Sequence, residues 1–76
     1  MRKAKWVTFK QKPEIHGVEL TLLRESFDLS QEEFGRLCGW SQQNQNRLEG
    51  LEGHEVHVKV VEAIQKAVKE TKRTER

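Results

Sequence analysis

The chain has 76 residues, enough for one small domain and too few for two, and a domain of this size has little room to enclose an active-site cavity. Hydrophobic and charged residues each make up 34%, which excludes a thick sandwich core and leaves a narrow helical one, with function on the outer surface. The net charge of +2 conceals basic ends around an acidic body, because residues 1–13 hold five basic and no acidic side chains, residues 14–68 five and ten, and residues 69–76 four and two. Charge alone therefore does not point to nucleic acid; a motif has to carry that case.

The start Met1-Arg2-Lys3 lacks the apolar stretch of a signal peptide, and no run approaches the roughly 20 apolar residues of a membrane span, so a cytoplasmic, soluble protein is expected. Residues 1–13 read as a basic arm, an appendage in which Trp6-Val7-Thr8-Phe9 is either a short strand or part of a disordered arm with apolar anchors. Trp6 and Phe9 are expected to anchor this arm to the body; pairing with a second copy and contact with a partner are the alternatives. Arg2, Lys3 and Lys5 either track phosphates or keep the terminus soluble.

Pro13-Glu14 suits the first turn of a helix, and Leu20, Leu23, Arg24 and Phe27 recur at helical spacing up to Asp28. Ser30 with Glu33 three residues later forms a capping box that opens a second helix, whose apolar face is Phe34, Leu37 and Cys38 and which Gly39 ends. As the only cysteine, Cys38 excludes an internal disulfide, and on that face it reads as packing rather than as a redox thiol. Ser41 can cap a third helix running to about Leu48, with a surface of Gln42, Gln43, Asn44, Gln45, Asn46 and Arg47 and no acid among them.

After the loop Gly50-Leu51-Glu52-Gly53, Val56, Val60, Ile64 and Val68 form one apolar stripe with Ala63 and Ala67 beside it. Val56, Val58, Val60 and Val61 also alternate as a strand would, but the pattern persists to Val68 and only a helix explains it. From Lys69 onward the chain lacks apolar anchors and is expected to fray. The expected fold is all-α, with four helices in a body of residues 14–69 between the arm, 1–13, and a charged tail, 70–76.

The segment Leu20 to Gly50, LTLLRESFDLSQEEFGRLCGWSQQNQNRLEG, resembles the helix-turn-helix of the phage repressor and Cro family. The matching elements are Leu23-Arg24 in helix one, Ser30-Gln31-x-Glu33 opening helix two, Gly39 at the turn, Ser41 opening helix three and Leu48-Glu49 closing it. The resemblance implies that helix three lies in the DNA major groove, with Gln42, Gln43 and Asn46 as leading base readers, and with Ser41, Asn44 and Arg47 in the same DNA-contacting set. It implies further that Gln31 contacts a phosphate and buttresses Gln42, and that Arg24 and Glu49 form an ion pair tying helix one to the end of helix three. Exposed Gln and Asn can make paired hydrogen bonds to adenine N6 and N7, and Arg47 can reach guanine or a phosphate.

Three features depart from the family pattern. Gly35 stands where alanine is usual, at a cost of about 1 kcal/mol in helix propensity. Gln45 stands where Val or Ile packs helix three inward, so either its stem packs while its amide finds a partner or helix three is rotated or loosely held. The family's fifth helix has no counterpart after Lys69. Trp40 reads as filling the apolar turn position beside Gln45, the alternative being an exposed anchor for a partner.

The resemblance implies a sequence-specific transcriptional regulator in a bacterial or phage setting, acting on double-stranded DNA as a homodimer, with half-sites about 34 Å apart if they are one turn apart. Two alternatives keep the fold: an antitoxin that adds a toxin-binding segment, and a protein-interaction adaptor without DNA binding. No enzyme is expected, because no nucleophile, base and oxyanion set can be assembled from these residues. No cofactor is implied. His54 and His57 lie three apart, but no second cysteine or adjacent acidic cluster completes a metal site.

Overall fold

The computed structural model describes residues 5–74. Within them the N-terminal segment is held to the body by Trp6 and Val7, both buried, whereas Phe9 is 58% exposed and does not anchor it as expected. Val7–Thr8 forms strand β1, antiparallel to β2 at Glu14–His16, in the register Val7↔Ile15 and Thr8↔Glu14. A third strand, β3 at Glu52–Glu55, pairs antiparallel with the other edge of β2, so the sheet order is β1-β2-β3. Four helices complete the chain: α1 (Gly17–Ser26), α2 (Gln31–Cys38), α3 (Gln42–Glu49) and α4 (Val58–Thr74).

The all-α expectation is therefore wrong, and the protein is a small α+β domain. The reason is strand length. Alternation needs about four to eight residues to be legible, and these strands have two to four. The expected loop at Gly50–Gly53 runs into β3, whose sequence Glu-Gly-His-Glu has no apolar side chain and is held by backbone pairing to β2. Gly53 falls out of register between His54, opposite Ile15, and Glu52, opposite His16, and takes φ 65°, a bulge conformation that glycine adopts without steric cost.

Helix one starts later than Pro13-Glu14 suggests. Ile15 is fully buried, the His16 N–H donates to the Trp6 carbonyl at 2.9 Å, and the Pro13 carbonyl accepts from the Val56 N–H at 2.9 Å, so this stretch belongs to the sheet. At the other end of the chain α4 begins at Val58, with His57 Nδ1 accepting from the Lys59 N–H at 3.1 Å. It continues to Thr74, beyond the Lys69 position where fraying was expected, while Val56 packs against the core from outside the helix.

The core is Trp6, Val7, Ile15, Leu20, Phe34, Leu48, Val61, Ile64 and Ala67. Every element except β3 contributes to it, and its largest fully buried side chain is Phe34 of α2. Burying a side chain of this kind is worth about 1.5–3 kcal/mol, so this ring is a main anchor of α2. The sheet thus closes the open side of a helical core and sets where α1 begins.

Candidate nucleic-acid interface

The turn between α2 and α3 is built by local hydrogen bonding. The Ser30 Oγ accepts from the Glu33 N–H at 3.1 Å, and the Glu33 carboxylate accepts from the Ser30 N–H at 2.8 Å, completing the capping box. Gly39 ends α2 in the left-handed region at φ 95°, and the N–H groups of Gly39 and Trp40 both return to the Gly35 carbonyl, at 2.8 and 2.9 Å. Ser41 then caps α3 by accepting from the Asn44 N–H at 3.2 Å. A Cβ on Gly35 would lie 3.1 Å from the carbonyl oxygens of both Trp40 and Ser41, so the departure from alanine matches a close approach of α2 to the turn.

α3 buries Gln45 and Leu48 and leaves Gln42, Gln43, Asn46 and Arg47 exposed. The side chains of Gln42 and Gln43 make no hydrogen bond among the described residues, so their donors and acceptors are unspent. Arg47 donates to Asn44 Oδ1 at 2.9 Å, which lays its guanidinium along the helix. The acid that ends α3, Glu49, is turned inward with 6% of its side chain exposed. The outward face of α3 is thus polar and carries no negative charge.

Glu49 is the junction of three helices. Arg24 of α1 meets it with Nε on Oε2 at 2.7 Å and NH2 on Oε1 at 3.2 Å, and the Arg24 side chain is itself 11% exposed. Thr21 Oγ1 donates to Oε1 at 2.9 Å, Gln31 Nε2 of α2 to Oε1 at 3.1 Å, and Gln45 Nε2 to Oε2 at 2.7 Å. The remaining Arg24 nitrogen donates to the Leu29 carbonyl at 2.6 Å. Burial alone raises the Glu49 pKa, yet the hydrogen bonds from Arg24, Gln45, Gln31 and Thr21 together outweigh it and hold the carboxyl below its ordinary range.

Gln45 resolves the apparent mismatch at its position. It is fully buried, and its amide joins a group that can only donate to one that can only accept: Oε1 takes the Trp40 indole N–H at 2.8 Å while Nε2 gives to Glu49. Trp40 is accordingly a half-buried partner of Gln45. No buried side-chain nitrogen or oxygen among the described residues is left without a partner. Gln45→Val is expected to orphan the indole N–H and remove one donor from Glu49, costing about 1–3 kcal/mol by chemical denaturation even though valine is the better helix-core residue by polarity. A variant as stable as the parent would show the bridge to be dispensable.

Gln31 is placed differently from the resemblance. Its Nε2 donates to Asn46 Oδ1 at 3.2 Å and to Glu49, and it makes no hydrogen bond to Gln42. With both amide hydrogens engaged, its side chain has no donor left to offer a phosphate. Of the arm residues, Arg2 and Lys3 lie outside the described residues, Lys5 is exposed, and Lys10 pairs with Glu14 at 3.0 Å, a surface contact of small energetic weight. His54 and His57 are exposed, and among the described residues no three of His, Cys, Asp and Glu are grouped to hold a metal ion.

Burial pushes the Cys38 thiol up to about 12, so its nucleophilic thiolate is scarce at neutral pH. Native protein is expected to react with a thiol reagent many times more slowly than protein in denaturant, and equal rates in the two states would show that Cys38 is open to solvent.

Sequence reasoning singled out Arg24, Gln31 and Glu49, and it flagged Gln45 without placing it. It missed Thr21 and Gly17. The Gly17 N–H donates to the Leu51 carbonyl at 2.8 Å, and a Cβ on Gly17 would lie 2.1 Å from the Glu49 carbonyl oxygen, so α1 meets the end of α3 backbone to backbone. Neither family models, nor curated proteins, nor solved structures give a match to this chain. No helix among the described residues is long and apolar enough to cross a membrane.

Proposed function

We propose that the protein is a sequence-specific DNA-binding regulator that lays α3 in the major groove, working in the cytoplasm as a homodimer and without catalysis. The observation that carries this reading is the outward face of α3. Gln42, Gln43, Asn46 and Arg47 are exposed together there, and the only acid of the helix is withdrawn into an ion pair. Amide and guanidinium groups on a short projecting helix match the donor and acceptor pattern of base edges in a groove that admits one α-helix.

The test is selection of bound duplexes from a random pool, followed by Gln42→Ala and Gln43→Ala on the enriched site. Each variant is expected to keep its melting temperature and lose discrimination at one base position, a direct contact being worth about 1–3 kcal/mol. Full discrimination by both variants, or no enriched duplex, would remove α3 as the reader.

A protein-binding adaptor is the second reading, and one feature favours it. Val18 and Leu22, one turn apart on α1, are 69% and 53% exposed, an apolar pair of the kind that partner surfaces cover. Val18→Ser with Leu22→Ser is expected to leave DNA selection intact; loss of a co-purifying protein together with no DNA enrichment in the parent would favour the adaptor.

A further inference from the structure

The hydrogen bonds around Glu49 have a direction, and it reaches the outer face of α3. An ionised carboxylate only accepts, so Gln31 must present its NH2 group to Glu49. The same Nε2 donates to Asn46, so Asn46 must present its carbonyl Oδ1 to Gln31. The Asn46 NH2 group is then the one turned away from the protein, and it has no partner among the described residues.

At 3.6 residues per turn Asn46 falls between Gln42 and Gln43 around the helix, in the middle of the exposed face. It is therefore placed to be read against a base edge, and what it offers is set from behind. Resting on the reading of α3 as a groove-binding helix, we propose that Gln31 is a positioning residue that holds Asn46 as a hydrogen-bond donor, and that Asn46 in consequence selects guanine. Guanine presents two acceptors, O6 and N7, in the major groove, whereas adenine presents N6 as a donor beside N7 and is best met by an amide free to use both its ends. Cytosine offers only a donor there and is rejected, and thymine offers one acceptor, O4, beside its methyl group where guanine offers two.

This assignment differs from a free asparagine, for which the paired contact to adenine is the favoured one. The Glu49 carboxylate thus acts at a distance of two side chains on which base is accepted. Gln31 touches no base in this arrangement.

The experiment compares the parent, Asn46→Ala, Gln31→Ala and Asn46→Asp in selection from a random duplex pool, with affinities then measured on the enriched site and on its single-base variants. Thermal melts of each variant confirm that the chain is folded at the assay temperature. The parent is expected to prefer guanine over adenine at one base pair by about tenfold, equivalent to about 1.4 kcal/mol, and Asn46→Ala to lose that preference alone. Gln31→Ala leaves Asn46 in place but frees its amide to turn, so adenine is expected to be accepted nearly as well as guanine at the same base pair. Asn46→Asp still accepts from Gln31 but turns an acceptor outward, so guanine is expected to be rejected there.

Selection by the parent of any base other than guanine at the Asn46 base pair, no preference there, or a guanine preference unchanged in Gln31→Ala, overturns the inference while leaving α3 as a DNA reader. No enriched duplex for the parent overturns the DNA reading and this inference with it.

Discussion

Gly17→Ala is expected to lower the melting temperature by about 12–24 °C, the equivalent of about 3 kcal/mol for a domain of this size. The added methyl would lie 2.1 Å from the Glu49 carbonyl oxygen, 2.5 Å from its carbon and 2.7 Å from the Leu51 carbonyl oxygen. All three are backbone atoms. A flexible side chain can swing aside at little cost, but backbone at the end of α3 can retreat only if α1 and α3 part. Separation would stretch the Gly17 to Leu51 hydrogen bond and the contacts of Thr21 and Arg24 with Glu49, so packing and polar losses add.

Gly50→Ala is the control. Its φ is −93°, and its nearest neighbours would be the Arg47 and Asn46 carbonyl oxygens at 3.5 and 3.8 Å, ordinary contact distances. Removing backbone freedom from the unfolded chain at such a site stabilises by about 0.4–1 kcal/mol. The two alanine variants are therefore expected to move in opposite directions when followed by circular dichroism on heating. Melting temperatures that agree within the error of the measurement would show that α1 and α3 do not meet at Gly17.

That glycine also shows where reading the sequence stops. The helices around the turn were legible because their signals are local: Ser30 and Glu33 cap each other within one turn, Gly39 ends the helix it follows, and Ser41 caps the next. The need for glycine at position 17 comes from Glu49 and Leu51, which are distant in the chain, and nothing beside Gly17 announces it. The sheet was hidden for a related reason. β3 is Glu-Gly-His-Glu, a sequence with the polarity of a loop, and it is a strand only because Ile15 and its neighbours offer it an edge.

At the candidate site the residue types were legible and their orientations were not. Gln42 and Gln43 are exposed as the amide run suggested, while Gln45 in the same run is fully buried. Helical spacing separates them, since Gln45 falls on the side of Leu48, but the identity of its partner depends on Trp40 being close enough to donate. Gln31 likewise turns to Glu49 and Asn46 rather than to Gln42, because the Glu49 carboxylate is a stronger acceptor than a glutamine amide.

The ion pair itself supports the second large effect: Arg24→Ala and Glu49→Ala are each expected to cost about 3–5 kcal/mol, far more than Gln42→Ala on the exposed face of α3. With side chains 11% and 6% exposed, neither partner can recover by hydration when the other is removed. The two losses differ in kind. Glu49→Ala strands the Arg24 guanidinium and also leaves Gln31, Gln45 and Thr21 without their shared acceptor, whereas Arg24→Ala leaves Glu49 with three neutral donors. Because they share one interaction, the double variant is expected to be less destabilised than the sum of the singles, and strict additivity would mean the two groups do not interact.

Acid provides an independent check with a definite sign. The Glu49 carboxyl is held below the 4.5 of an ordinary glutamate, so the native state binds fewer protons there than the unfolded chain does. Its contribution is fully present above the unfolded value and is lost as pH falls through the lower native value. The stability advantage of the parent over Glu49→Gln, measured by urea unfolding, is therefore expected to be flat near neutrality and to shrink only as pH drops below 4.5. In Arg24→Ala the strongest donor is gone while burial still opposes the charge, so the native value moves up toward the unfolded one and the acid-dependent loss is expected to be smaller than in the parent. An advantage that stayed constant through the acid range would show that the Glu49 carboxyl titrates alike in the native and unfolded chains and is not bound as the geometry has it.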